Sequence, residues 1–148
     1  MDIKASLSTT PVLEGVPAAT LAAIERIARP LTFEDGDVVY RLGDPARDIY
    51  VVVAGRLRFS IGVGNRPDAS GSVMKPGDLL GWAALIEDQP RRIATATCLE
   101  DTTLIAIDGG QLLRILEADP RAGYQVMRRL CKMIAQSFME QSALLNSA

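Results

Sequence analysis

Pro76–Thr97 reads PGDLLGWAALIEDQPRRIATAT, and the order of its parts decides the fold. Pro76-Gly77-Asp78 is a turn signal, because Pro presets φ and Gly supplies backbone conformations that tight turns need. Gly81 lets the backbone approach a ligand with no Cβ in the way. Arg91 and Arg92 follow a polar spacer, after which Ile93, Thr95 and Thr97 alternate with Ala94, Ala96 and Cys98 as a β-strand does. The first expectation is a pocket for something small and anionic.

Upstream of this stretch the texture is that of a β sandwich or barrel. Gly36, Gly43, Gly55, Gly62, Gly64 and Gly71 punctuate short runs rich in Val, Ile, Leu and aromatics: 31–33, 38–41, 49–54, 57–61 and 72–74. Ile49–Val53 is apolar throughout, which predicts a central strand covered on both faces. Asn65–Gly71 is the most turn-rich stretch and is expected to form a hairpin tip. Residues 104–107 supply a further strand before Asp108-Gly109-Gly110.

The ends of the chain carry a helical period instead. Residues 12–16 read as a short helical turn, and Leu21, Ile24, Ile27 and Ala28 predict an amphipathic helix that closes near Arg29-Pro30, because Pro cannot continue it. Leu112, Leu113, Ile115 and Leu116 predict a short helix that stops before Asp119-Pro120, where Asp119 can cap the next helix and Pro120 open it. The longest element follows. Tyr124, Met127, Cys131, Ile134, Phe138 and Leu145 fall on its three-four spacing, broken at Gln141 and widened by Leu130 and Met133. Such a stripe either lies against its own β body or pairs with the same helix of a second copy, with Arg128, Arg129 and Lys132 on the solvated face.

Composition bounds the function. A chain of 148 residues, 48% hydrophobic, is the size of one domain with one good core. A net charge of −2 gives no basic footprint, so no direct DNA binding is expected. No apolar run approaches the roughly 18 residues that span a bilayer, and the start has no signal-peptide core; no membrane association and a cytoplasmic location are expected. Cys98 and Cys131 form neither a CxxC pair nor a disulfide framework and read as two buried thiols. The chain has no histidine, which removes Ser-His-Asp and Cys-His catalysis and His-ligated metals. Metal-dependent barrels of the cupin type would need those histidines, so neither a metal nor an enzyme activity is expected.

A helix, a Gly-punctuated β roll, a short helix and a long one is an order that resembles the cyclic-nucleotide-binding domain, the fold of catabolite activator proteins, kinase regulatory subunits and cyclic-nucleotide-gated channels. The resemblance spans roughly Val16 to Gln141 and rests on Gly36-Asp37, Gly43-Asp44, the segment IYVVVAGRLR at 49–58, and Pro76-Gly77-Asp78 leading into Gly81. It implies an α+β, mainly β fold over a single domain, 1–148: an eight-stranded β roll of the jelly-roll kind at about 31–108, an N-terminal helix within about 12–29, and C-terminal helices at about 110–146.

The family's phosphate-binding cassette reads approximately F-G-E-x-A-L, a spacer, then R-x-A-T or R-S-A. Leu80-Gly81-Trp82-Ala83-Ala84-Leu85 and Arg92-Ile93-Ala94-Thr95 match it. Arg92 has the R-x-A-T spacing and Arg91 the kinase-type Pro-Arg spacing; Arg92 is the preferred cation. An Arg fork and exposed N–H groups at a Gly-led turn would satisfy a phosphodiester with charge-assisted hydrogen bonds. The resemblance thus implies a small anionic ligand, a cyclic nucleotide such as cyclic AMP or cyclic GMP, held by Gly81, Trp82, Ala83, Ala84, Arg91, Arg92, Ile93 and Thr95. Ser137 of the long helix would meet the base, although its neighbour, where the catabolite activator has a second hydroxyl, is Phe138. Trp82 stands where nucleotide-binding members carry the Glu that takes the ribose 2′-hydroxyl, and two readings of it are open: it stacks on another ligand, or it fills the pocket. The second would make the chain a degenerate member acting as a dimerisation or protein-interaction module. The resemblance further implies a homodimer through the long helix and an output partner of unknown kind. The chain reaches Ala148 soon after that helix, so no helix-turn-helix reader is expected.

Overall fold

The computed structural model describes residues 2–60, 72–86 and 88–146, with side chains through residue 140. The expected hairpin tip at 65–71, the strand end at Ile61 and the side chains of Gln141 and Leu145 lie outside these residues.

Among the described residues eight strands form two antiparallel sheets of four. One has the order β1 (Arg29–Phe33), β8 (Thr102–Asp108), β3 (Asp48–Ala54), β6 (Leu79–Leu80), and the other β2 (Val38–Tyr40), β7 (Thr95–Cys98), β4 (Leu57–Ser60), β5 (Ser72–Met74). This is the expected roll. The expected central strand is β3, which lies between β8 and β6, with Tyr50 opposite Ala106 on one side and Leu80 on the other. Its alternation serves two cores. Tyr50 and Val52, with Leu104 and Ala106 of β8, face the second sheet and meet Leu57, Ala96 and Cys98. Ile49 and Val51, with Ile105 and Ile107, face the helices. Because both faces are covered, neither strand shows the polar alternation of a solvated sheet.

The helices close over that second face. α1 (Ile3–Ser8) is capped by Asp2, whose Oδ1 accepts from the Ala5 N–H at 3.2 Å. It was not predicted, since six residues are too few to show a helical period. A short 3-10 turn follows at Pro11–Leu13, and then α2 (Ala18–Ile27). α2 ends two residues before the expected Arg29, for Arg29 and Pro30 already belong to β1. β1 is an edge strand, where a residue without an N–H leaves no ladder bond unmade.

α3 (Gly109–Ala118) starts at the first of the two glycines that follow the expected strand. Asp108 caps it, with Oδ1 accepting from the Gln111 N–H at 2.9 Å; that bond, aided by Arg47, holds the Asp108 carboxyl below its usual range. Asp119 does cap α4 (Pro120–Asn146), accepting from the Ala122 N–H at 3.4 Å, while its other oxygen takes the Thr20 hydroxyl at 2.6 Å. α4 lies on its own body through Ala122, Val126 and Leu130. Tyr124 and Phe138, on the same helix, are 65% and 71% exposed, and Cys131, expected to be buried like Cys98, is exposed too, because it sits on the side of α4 away from Leu130 and the core. Among the described residues no helix is long and apolar enough to cross a membrane.

The β3–β4 turn depends on Gly55, at φ +93°. A Cβ there would overlap the Thr102 hydroxyl and sit 2.6 Å from the Asp101 carbonyl oxygen. Gly55→Ala is therefore expected to destabilise the protein by about 2 to 4 kcal/mol, left-handed strain and overpacking together, read as a lower urea midpoint at unchanged m-value.

Candidate functional site

β6 pairs with β3 and delivers the chain to Gly81, which takes φ +82° and caps a 3-10 helix, Trp82–Leu85. The position admits no side chain, because a Cβ would lie 2.9 Å from Arg92 Nη1 and 3.0 Å from the Asp48 carbonyl oxygen. The returning segment is pinned to the loop before β3: the Arg92 N–H donates to the Asp44 carbonyl at 2.7 Å, the Gly43 N–H to the Arg92 carbonyl at 2.8 Å, and the Ala46 N–H to the Pro90 carbonyl at 2.9 Å. These bonds decide where the two arginines point. Arg91 is exposed, reaching back to the Gly43 carbonyl at 3.4 Å.

Arg92 turns inward and is 4% exposed. Its Nη1 donates to the Gly81 carbonyl at 3.1 Å and its Nη2 to the Asp48 carbonyl at 2.8 Å. The guanidinium carbon lies 4.2 Å from the centre of the Tyr40 ring and 5.6 Å from that of Tyr50. Among the described residues no carboxylate pairs with it. Two carbonyl dipoles and two aromatic faces thus compensate a buried cation. Desolvation raises both phenols, so both tyrosines stay protonated across the physiological range. The void beside this cluster, touched by Gly81, Trp82 and Ala83, has room for about 10 Å³.

A larger cleft of about 550 Å³ lies on the other side of Trp82. Its floor is apolar, from Phe59, Met74, Leu80 and Met133, and Lys75, Arg129, Lys132 and Glu140 stand around it. α4 contributes Ser137 and Gln136. Arg129 and Lys132 were expected on the solvated face of α4. Lys132 is exposed as expected and Arg129 half-buried; both line the cleft, and Arg129 Nη1 donates to the Glu14 carbonyl.

Residues 30–119 match the cyclic nucleotide-binding domain family. The chain belongs to that family. It is 23% identical over 135 residues to the CRP-like cAMP-activated global transcriptional regulator of Mycobacterium tuberculosis, an alignment covering 88% of this chain and 58% of the relative. The chain thus spans little more than half the length of that regulator. Among solved structures, the regulatory domain of Toxoplasma gondii PKA with cAMP superposes with a TM-score of 0.75 at 20% identity, over 90% of this chain and 48% of the other. The catabolite activator protein of Thermus thermophilus gives 0.74 at 22%, over 91% and 63%.

Within this cyclic nucleotide-binding domain the expected site residues divide into three groups. Gly81, Trp82, Ala83, Arg92 and Ile93 gather at the small void. Trp82 and Ser137 line the large cleft. Ala84, Arg91 and Thr95 lie at neither: Ala84 is buried against Gly109 of α3, Arg91 points to solvent, and the Thr95 hydroxyl accepts from the Leu42 N–H at 3.0 Å. The sequence reading missed Tyr40, Phe59, Met74 and Gln136. Their strands and helix were predicted, but a residue's face is visible only where periodicity meets a one-sided core.

Because Arg92 is engaged inside the protein, its removal is expected to cost folding stability with no ligand present. Arg92→Leu strands the Gly81 and Asp48 carbonyls and is expected to lower the unfolding free energy by about 2 to 4 kcal/mol in urea titrations. Arg91→Leu, at an exposed position, is expected to change it by less than about 0.5 kcal/mol.

Proposed function

We propose that this chain is a non-enzymatic, ligand-sensing regulatory module that takes a small phosphate-bearing ligand, a cyclic nucleotide such as cyclic AMP or cyclic GMP, and signals through α4. The observation that carries this reading is the span of the 550 Å³ cleft, which runs from Trp82 of the cassette to Ser137 of α4 and lies within the size range of small-molecule sites. One occupant would touch both. A ligand shifts a helix only by binding one of its arrangements better, and contact with α4 itself supplies such a difference. The base would lie against Met74, Met133 and Trp82 with Ser137 at its edge, and the phosphate would approach the Gly81 turn and Arg92.

The relative from Mycobacterium tuberculosis is described as cAMP-activated, and the family match supports the ligand class. We further propose a cytoplasmic homodimer through α4, for which the exposed Tyr124 and Phe138 on one seam give the apolar contact. The cleft's cations, Lys75, Arg129 and Lys132, are matched by Glu14, Asp78 and Glu140, which favours a small ligand over DNA. The output partner would be a protein or a further domain that reads the position of α4.

A second reading, that of a degenerate member serving dimerisation alone, is favoured by one observation: both terminal nitrogens of Arg92 already have acceptors, and Trp82 walls the void. Calorimetric titration with cyclic AMP and cyclic GMP separates the two. The sensing reading expects saturable heat that weakens at least tenfold in Ser137→Ala or Arg92→Leu; an absence of heat from the wild type, restored by Trp82→Glu, would establish the degenerate one. Light scattering tests the dimer separately, with wild type expected at twice the chain mass and Phe138→Glu at the monomer mass.

A further inference from the structure

Two buried donor groups belong to residues that line the small void, the hydroxyl of Tyr40, whose oxygen lies close to the Gly81 backbone, and Nε of Arg92; among the described residues neither donates to an acceptor. Tyr40 is 6% exposed and Arg92 4%, and both residues line that space. Buried polar groups are almost always satisfied, so a pair left open on one void marks a place built for an occupant. Both are donors. The guanidinium has no acceptor, and burial keeps the Tyr40 phenol protonated. Two such donors on residues lining one void, beside a cation with no carboxylate partner among the described residues, call for an electron-rich atom.

The void's size limits what can enter. Room of about 10 Å³ accepts one water-sized atom and no more, so a whole phosphate group does not fit, whereas a single oxygen does. Phe59 and Trp82 line both this void and the 550 Å³ cleft, so a molecule in the cleft lies one side chain away from it. We propose that Tyr40 is a ligand-binding residue whose O–H, together with the Nε–H of Arg92, receives one oxygen of an oxyanion, phosphoryl or carboxylate, carried by the occupant of the cleft.

Tyr40 belongs to β2, far in sequence from the cassette, and the cassette pattern makes no reference to it. The assignment rests on the ligand-sensing reading for the body of the ligand, but it concerns a different residue and can fail separately. It also gives the inward turn of Arg92 a use: Nη1 and Nη2 hold the Gly81 and Asp48 carbonyls and fix the plane of the guanidinium, which leaves Nε–H as the group offered to the ligand.

The decisive variant is Tyr40→Phe, which keeps the ring over Arg92 and removes only the unpartnered hydroxyl. Titration with cyclic AMP and cyclic GMP is expected to show affinity reduced about ten- to hundredfold, as for a lost hydrogen bond to a charged group. Melting without ligand is expected at an unchanged or higher temperature, since the removed hydroxyl has no partner; a merely structural role would lower it and leave affinity alone. A second measurement uses inorganic phosphate and acetate against chloride at equal ionic strength. Phosphate is expected to raise the melting temperature of wild type and not of Tyr40→Phe, and the acetate arm tells a carboxylate-accepting site from a phosphoryl-selective one. If cyclic nucleotides bind wild type and Tyr40→Phe equally, the sensing reading stands and the Tyr40 subsite is overturned. If they bind neither but phosphate or acetate still separates the two proteins, the subsite stands and the cyclic nucleotide is the wrong ligand. Equal responses to every probe, including none, overturn the subsite.

Discussion

The guanidinium of Arg92 is the constraint on which the site depends. It draws its partners from both sheets: the Tyr40 ring comes from β2, while the Tyr50 ring and the Asp48 carbonyl come from β3 and the Gly81 carbonyl from the end of β6. The two tyrosine rings lie 6.1 Å apart, nearly parallel at 22°. A charge buried without a carboxylate is tolerable only when dipoles and π faces converge on it, each contributing a modest amount that water would otherwise supply. That need fixes the distance between the sheets at one corner of the roll. It also explains why Gly81 must be glycine, since the space a Cβ would take is held by Arg92 itself.

From that corner the packing continues toward the helices without a gap. The 3-10 helix after Gly81 presents Ala84 to the first residue of α3, where a Cβ on Gly109 would sit 2.6 Å from the Ala84 carbonyl oxygen. α3 in turn meets α4 at Gly123, where a Cβ would lie 2.8 Å from the Leu116 carbonyl oxygen. Two glycines thus allow backbone-to-backbone contact at successive joints, and close-packed joints transmit a displacement rather than absorb it. The cleft is lined by Ser137 of α4 and by Trp82 of the cassette, so it adjoins both ends of this chain of contacts.

Much of the architecture was legible because burial leaves a clear mark on regular elements. β3 shows it best: an unbroken apolar run can only be a strand covered on both faces, and Ile49 and Val51 do face one core while Tyr50 and Val52 face the other. Asp119-Pro120 opened α4 as read, since a capping carboxylate and a residue without an N–H have few other uses in sequence. What escaped was short or two-natured. β6, with two residues, and α1, with six, are below the length at which a period exists. Arg29-Pro30 looked like a helix end because Pro stops helices, but an edge strand tolerates it equally well. Lys132 is solvated as read, whereas Arg129 is half-buried because tertiary structure brings the Glu14 carbonyl to it.

The site was legible in its residues but not in their engagement. Spacing located Gly81, Trp82 and Arg92 together, and they are together. Spacing is silent on whether a cation's donors are free, because that depends on carbonyls from Asp48 and Gly81 and on rings from β2 and β3, none of which the cassette pattern includes. Family membership therefore fixes the frame of the pocket more firmly than its ligand. Two chains with the same cassette spacing differ in function if one offers a whole guanidinium fork to a phosphate and the other only the nitrogen left over from holding its own sheets together. In this chain both terminal nitrogens of Arg92 are engaged within the protein. The surroundings of Arg92 accordingly include one residue that the motif omits, Tyr40, and one that departs from it, Trp82 at the wall between the void and the cleft.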